Sequence, residues 1–547
     1  MIDKVPGATY EGLYDSFRWE LPERFNIGTA CSDQQDASAL ALIEVADGQV
    51  REYSFGALSQ GSNQLANGLR SLSVERGDRV AVMLPQGFEC GLSHLATYKL
   101  GAIAVPMTQL FGPEALRYRL GNCLPKVVIT DPSTRDAVAG IADEVGGMTV
   151  VVVGAGEDAA DQDFAGLVAA AAKGFEPVET APDDPALLIY TSGTTGAPKG
   201  ALHGHRVLLG HLPGFELMFD FFPGPNERLW TPADWAWIGG LLDAVIPSWF
   251  HGRPVVATPR ARFEPRWALD LITEHKVTST FLPPTALKMM RQADLEVGDV
   301  IALRTIMTGG EPLGSETLTW GRDHLGVHIN EIYGQTEANL LVGNSSNVWD
   351  VRPGSMGRPF PGHTLAVLAS DGTLAAPDVE GEIILRADDP VVMLGYWDNP
   401  EATERKYVNI VRGSGATSRW LRTGDLGRCD VDGYLWFSSR EDDVIMSAGY
   451  RIGPAEIEEC VLTHPSVAMV AAVGIPDPIR GEAVKVFVTL RDGFEPSNDL
   501  ADQIRHHVRS RLAAYEYPRE VEFLDELPTT TTGKVRRQDL RIDRPRP

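Results

Sequence analysis

A chain of 547 residues exceeds what one hydrophobic core usually organises, and predicts about three units of roughly 150 to 200 residues each. Its composition, 43% hydrophobic and 22% charged, is that of a globular protein, and no run approaches the roughly 18 apolar residues that a membrane span requires. A formal charge of −25 argues against nucleic acid or an anionic membrane surface as partner, because both are held by clustered Lys and Arg. A small anionic ligand would need a few local donors and cations, which should then be identifiable. The opening residues MIDKVPGATYEGLYDSFRWE have neither the apolar centre of a signal peptide nor an Arg-rich, acid-poor transit pattern, so the expected compartment is the cytoplasm. Cys31, Cys90, Cys123, Cys429 and Cys460 are odd in number, scattered and without a C-x-x-C pair; buried reduced thiols are expected, not disulfides or a zinc site.

From about Tyr53 to Pro232, amphipathic stretches alternate with short apolar runs at Arg79 to Leu84, Lys126 to Thr130 and Thr149 to Val153, an α/β pattern. A further apolar run, Ala186 to Ile189, precedes residues 190 to 200, which read YTSGTTGAPKG. Thr191, Ser192, Thr194 and Thr195 offer hydroxyls, while Gly193 and Gly196 let backbone N–H groups approach phosphate oxygens. Lys199 adds a compact positive charge. The segment predicts a phosphate-holding loop after a strand. No Gly-Lys pair is followed by Ser or Thr, so it is not a Walker A loop.

The α/β alternation continues through Val277 to Phe281, Thr305 to Thr308 and Val327 to Ile332, and ligands gather at the ends of such strands. After the last comes Tyr333-Gly334-Gln335-Thr336-Glu337, whose hydroxyl and carboxylate suit phosphate and Mg²⁺. From about Gly357 to Trp436, short strand-like pieces are separated by turn signals, Asp371-Gly372 and Asp432-Gly433 among them, which predicts a small β-rich subdomain. Within it Leu421 to Asp425 ends in a carboxylate able to accept both hydroxyls of a ribose. Beyond Asp443, helices are predicted at Ala455 to Thr463 and Asp499 to Ala514, and strands at Val467 to Val473 and Val484 to Leu490. Together they make a compact α+β C-terminal domain of about 105 residues. A Thr-rich segment then ends in Gly533-Lys534.

Singly these segments read as turns or solvated charge, but their order is specific. The set, with Ser439 to Asp443, Val444 to Glu458 and Pro476 to Glu482, resembles the adenylate-forming superfamily of acyl-CoA synthetases, adenylation domains and luciferases. The resemblance spans nearly the whole chain. Val444 to Glu458, FRWELPERFNIG at Phe17 to Gly28 and Thr108-Gln109-Leu110 look most like its medium-chain acyl-CoA synthetases.

That resemblance implies a large N-terminal domain, residues 1–441, of two αβ subdomains plus a small β-barrel-like subdomain. A mobile α+β C-terminal domain, 443–547, would turn about a hinge at Asp442. It implies a reaction of a carboxylic acid with MgATP and then coenzyme A, through an acyl-adenylate. The loop at Ser192 to Lys199 would hold the β- and γ-phosphates, Thr336 the α-phosphate and Glu337 the Mg²⁺. Gly310, Glu311 and Pro312 would line adenine, Asp425 and Arg440 the ribose, and Arg451 would contact AMP phosphate. Lys534 would stabilise charge developing on the α-phosphate and carboxylate oxygens. Ala448, Gly449 and Tyr450 would face coenzyme A, with Arg480 on one of its phosphates and Gln109 also on the coenzyme. Trp237, Gly309 and Gly334 would line the acyl pocket. Acetate-specific relatives carry tryptophan at the place of Gly334, so glycine favours a medium-length, branched or aryl acid, each buried methylene gaining about 0.8 kcal/mol. Trp235 and Trp237 read equally as core packing. Ala338-Asn339 replaces the Thr and Gly of many relatives, which bears on the choice of acid. A monomer or a homodimer is expected.

Rival readings are weaker. Gly154 to Ala159 imitates a dinucleotide fingerprint, but no strong helix follows. His203, His205 and His211 lack the company of a zinc site and are expected on a helix surface. A carrier-loading enzyme for amino acids would need a Phe-Asp-x-Ser-like segment near Asp234. A luciferase-like oxygenase would keep the same nucleotide residues, and a non-catalytic adenylate sensor predicts loss of Lys534 or Glu337, both of which are present.

Overall fold

The structure is a computed structural model that describes residues 1–2, 8–154, 162–191, 198–259, 262–293, 302–310, 313–411, 416–440, 443–447, 450–477, 481–512, 516–530 and 534–541. The chain divides into two compact units. The first comprises 1–191, 198–364 and 386–407; the second comprises 192–197, 365–385 and 408–547.

Among the described residues the first unit contains two sheets. One runs in the order Gly395–Tyr396, Gly200–Gly204, Pro185–Tyr190, Ile103–Pro106, Arg79–Met83, Val127–Thr130, Thr149–Val152 and Gln162–Asp163. Its middle strands are parallel and read as unbroken apolar runs because both faces are covered. Val80, Ala81, Val127, Val128, Ile129, Leu187 and Leu188 are fully buried, and each such Val, Leu or Ile contributes about 1.5–3 kcal/mol. The second sheet runs Arg358–Pro359, Ala338–Gly343, His328–Gln335, Thr305–Gly309, Ser279–Phe281, Leu229–Trp230, Val255–Ala257, Leu40–Ala46 and Gln49–Ser54. The predicted strands are therefore found, and the one expected to stop at Ile332 continues to Gln335. The predicted fingerprint at Gly154 to Ala159 follows Thr149–Val152, and residues 155–159 lie outside the described set.

The second unit contains two smaller sheets among its described residues. In the first, Leu365–Leu368, Gly381–Arg386, Thr417–Cys429 and Tyr407–Val411 lie side by side, and Leu435–Arg440 pairs with Thr417–Cys429. Gly372 and Gly433 both adopt φ of +83°, the backbone that their Asp-Gly turns predicted. The β-rich stretch is not one body: Arg358–Pro359 and Gly395–Tyr396 are edge strands of the first unit's sheets. In the other small sheet Gly481–Leu490 pairs with Val467–Asp477, Ile445–Ser447 and Glu520–Phe523. Helices Pro454–Leu462, which starts on a proline, and Asn498–Arg509, capped by Ser497, pack against it.

The three histidines expected on a helix surface are instead fully buried. His203 lies in the strand Gly200–Gly204, His205 caps the helix Arg206–Met218, and His211 lies within that helix. The helix, RVLLGHLPGFELM, is apolar nearly all round, so every face of it is covered. Burial pushes His203, His205 and the equally buried His94 down to about 4, and His211 to about 3. Each folded value is depressed below 6.5, so the stability these neutral rings contribute is full above pH 6.5 and is lost as pH falls toward 4. Asp243, pushed up to about 8 by burial, works in the opposite sense and offsets one of the four. The expected outcome is an unfolding free energy, read from urea titrations, that falls between pH 6.5 and 5 by at least about 1 kcal/mol per pH unit. A flat unfolding free energy across that interval contradicts the buried neutral assignment.

Candidate active site

In both large sheets, the segments singled out by sequence follow the carboxyl ends of parallel strands, where open α/β sheets leave a crevice for ligands. The first is the loop 191–199, which joins Pro185–Tyr190 to the antiparallel Gly200–Gly204 and is closed at its base by Thr191 N–H donating to the Lys199 carbonyl, 2.9 Å. Ser192, Gly193, Thr194, Thr195 and Gly196 lie outside the described residues. The second follows Thr305–Gly309, where Gly310 has φ of +96°; Glu311 and Pro312 also lie outside them. The third is the tight turn Thr336-Glu337, between His328–Gln335 and Ala338–Gly343.

Two of these segments are tied together by a residue that sequence reasoning did not single out. The Tyr396 hydroxyl donates to Glu337 Oε1 at 2.6 Å, and Lys199 Nζ stands 5.3 Å from the centre of the Tyr396 ring. The Met393 N–H donates to the Glu337 carbonyl at 2.9 Å, and buried His203 donates from Nε2 to the Thr336 carbonyl at 2.8 Å. The turn is thus fixed at both residues, and Thr336 and Glu337 are both half-buried. Nothing in the local pattern around Gly395-Tyr396 marks it; the signal is its pairing with Ala201 in the strand that follows the loop 191–199.

The positions expected around the acyl group are close-packed. Trp237 is half-buried, edge to face with Phe111 at 5.9 Å, whereas Trp235 is 1% exposed and stacks edge-on to Trp249, as core packing requires. A Cβ on Gly309 would strike the Ile332 side chain, and one on Gly334 would overlap the Asn339 amide oxygen, with Leu340 N only 2.5 Å away. Neither glycine tolerates a side chain as the backbone stands. Gln109 is held by Asp131 at 2.8 Å and Ser133 at 3.3 Å.

In the second unit, Asp425 and Arg440 face each other across adjacent strands, with Arg440 Nη1 3.6 Å from Asp425 Oδ1. Glu382 braces the turn before Asp425, accepting from the Gly424 N–H at 2.9 Å and from Arg422 at 2.7 Å. Lys534 is exposed on a short hairpin: the Thr530 N–H donates to the Lys534 carbonyl at 2.7 Å, and Thr529 bridges Val535. The following helix, Arg537–Arg541, is anchored by Arg537 to Glu458 at 2.7 Å and to Asp443 at 3.4 Å, and Arg541 reaches Asp443 at 3.3 Å. Asp443 neighbours the expected hinge residue, so the lysine hairpin and that position are linked by charge-assisted contacts. Asp442, Ala448, Gly449 and Arg480 lie outside the described residues, as do the side chains of Tyr450 and Arg451, whose backbones pair with Ser447 and Met446.

Comparison with known proteins agrees with this arrangement. The sequence pattern of the AMP-binding enzyme family matches residues 29–397, and that of the AMP-binding enzyme C-terminal domain matches 456–534. The chain is 33% identical to the mitochondrial acyl-coenzyme A synthetase ACSM3 of Mus musculus over 98% of its own length and 93% of that protein. It is 34% identical to the acetyl-coenzyme A synthetase of Bacillus subtilis (strain 168), over 90% and 85% respectively. The crystal structure of ATP-bound MatB from Rhodopseudomonas palustris superposes with a TM-score of 0.84 at 29% identity, covering 94% of this chain and 98% of that one. With the segment 190–200, the Thr336-Glu337 turn and Lys534 in their expected order, the chain belongs to the AMP-binding enzyme family, among its acyl-CoA synthetases.

Proposed function

We propose that this ATP-dependent, AMP-forming acyl-CoA ligase acts on a carboxylic acid larger than acetate, of medium length, branched or aryl. The observation that carries the nucleotide reading is the convergence on Tyr396 of Glu337 and Lys199, which supports a phosphate grip built from the loop at 191–199 and the Thr336-Glu337 turn. An acid is already ionised at neutral pH, so the first step needs alignment and charge neutralisation more than a general base. Thr336 donates to the α-phosphate, and Lys199 with the hydroxyls and N–H groups of 191–196 holds the β- and γ-phosphates. Glu337 is a single half-buried carboxylate on the Tyr396 hydroxyl, and Lys199 stands over the same ring. This fits Mg²⁺, which takes one or two protein carboxylates and fills the rest of its shell with phosphate oxygens and water. Held there by Glu337, Mg²⁺ would supply positive charge for the pyrophosphate group.

Gly310 to Pro312 line the adenine, and Asp425 and Arg440 take the ribose. Lys534 meets charge developing on the α-phosphate and the attacking carboxylate. The C-terminal domain, 443–547, then turns at Asp442, bringing Ala448, Gly449 and Tyr450 to the coenzyme A thiol, with Gln109 also on the coenzyme, Arg451 on AMP and Arg480 on a coenzyme phosphate. Trp237, Gly309 and Gly334 lie against the acyl group. The five cysteines are free, and four of them are buried, which suits the reducing cytoplasm. The test is incubation with MgATP, coenzyme A and a panel of C2 to C12, branched and aromatic acids. Pyrophosphate and thioester should appear together, with acetate among the poorest substrates. Pyrophosphate without thioester rejects coenzyme A as acceptor, and the release of none with any acid favours a non-catalytic sensor.

A further inference from the structure

The strand returning from the Thr336-Glu337 turn begins Ala338-Asn339, and Asn339 is 4% exposed. Its amide nitrogen donates to Asp243 at 2.7 and 2.8 Å and stands 3.4 Å from His211 Nε2. His211 Nδ1 is 2.7 Å from the Val207 carbonyl, so its proton is committed there and Nε2 is an acceptor. His211 Nε2 and a carboxyl oxygen of Asp243 both accept, so the hydrogen-bond network assigns the amide nitrogen to their side and its oxygen to the other. That oxygen occupies the place of a Cβ on Gly334, the position whose bare Cα was expected to leave room for the acyl chain.

Asp243 lies in a single π-helical turn, Leu241–Val245, which follows Trp237 closely in the chain. Its Oδ2 is 3.8 Å from the Cβ position of Gly239, which the Phe281 ring also approaches at 2.9 Å. Asp243 is 2% exposed; burial raises its carboxyl, and the Asn339 hydrogen bond acts against that rise. The same pair of acceptors, Asp243 and the His211 ring, thus braces Asn339 from behind while its oxygen faces Gly334.

We propose that Asn339, braced by Asp243 and His211, floors the acyl site and selects acids whose tail carries a hydroxyl over unsubstituted acids of the same size. The proposal rests on the reading of Trp237 and Gly334 as acyl-site residues and narrows the acid class given above. A methyl group ending against the Asn339 oxygen leaves a buried acceptor unpaired, whereas a hydroxyl satisfies it.

The experiment compares kcat/KM for pyrophosphate release within isosteric pairs: 4-hydroxybutanoate with pentanoate, 6-hydroxyhexanoate with heptanoate, and 4-hydroxybenzoate with 4-methylbenzoate. The wild-type protein should prefer the hydroxyl member of at least one pair by about tenfold or more, since sites built to bind a hydroxyl reject analogues that lack it. Asn339→Gly should bring that ratio to about one and improve the longer unsubstituted acids severalfold. Asn339→Ser, which keeps an oxygen, should retain part of the preference and serves if the glycine variant does not fold. Each ratio is taken within one preparation, so it does not depend on the fraction folded. A wild-type preference for the methyl member in every pair overturns the proposal, as does an unchanged ratio in a variant that turns over. In either case the ligase reading stands. Release of no pyrophosphate by wild type with any acid removes the ligase reading and this proposal with it.

Discussion

Replacing Lys534 by alanine is expected to lower pyrophosphate release from MgATP and acid by about 10²- to 10³-fold, the usual cost of deleting one preorganised group at a developing charge. Thioester formation from supplied acyl-adenylate and coenzyme A should stay within a few-fold of wild type. The side chain is exposed, and its hairpin is held by backbone contacts and by the Thr530 hydroxyl on the Lys534 N–H, 3.1 Å. The substitution therefore leaves stability within about 0.5 kcal/mol, and a loss of rate cannot be traced to unfolding. The hairpin runs into the helix whose Arg537 and Arg541 grip Asp443, so Lys534 is expected to serve one half-reaction. Equal loss in both halves contradicts the proposed turning of the C-terminal domain between them.

The second large effect belongs to Glu337. Glu337→Gln keeps the shape and the Tyr396 contact, which an amide oxygen can accept, but removes the charge that suits Mg²⁺. Adenylation should fall at least about 100-fold at fixed Mg²⁺ and recover in part as the metal concentration is raised. Tyr396→Phe tests the supporting contact. It keeps the carboxylate and removes one hydrogen bond to a charged group, so the KM for MgATP should rise about tenfold with a smaller change in kcat. Should Glu337→Gln retain full rate with an unaltered Mg²⁺ dependence, the carboxylate has another role.

Much of this architecture is legible in the chain because it rests on local chemistry. Apolar runs such as Val80 to Val82 and Val127 to Ile129 must be strands covered on both faces, and the Asp-Gly pairs at 371 and 432 must turn. The strand ends are less legible, since pairing extends them: Pro476 continues Val467–Asp477 because Glu482 lies opposite it. The phosphate loop, the Thr-Glu turn and the C-terminal lysine hairpin stand out through residue types with few other uses. What pattern does not carry is convergence between distant segments. Tyr396 is an ordinary aromatic until Gly395–Tyr396 pairs with Gly200–Gly204, and His203, His205 and His211 read as polar surface until the helix beside them is seen to be covered all round. Gly334 looked like empty space, but its meaning depends on Asn339, which the hairpin folds back over it.

Attack of a carboxylate oxygen on the α-phosphate of ATP leaves its record in the isotope content of the product AMP, which tests that step most directly. An acid labelled with ¹⁸O in both carboxylate oxygens, turned over with MgATP and coenzyme A, should yield AMP carrying one ¹⁸O and pyrophosphate carrying none. Label in inorganic phosphate or pyrophosphate, or unlabelled AMP alongside thioester, would contradict an acyl-adenylate.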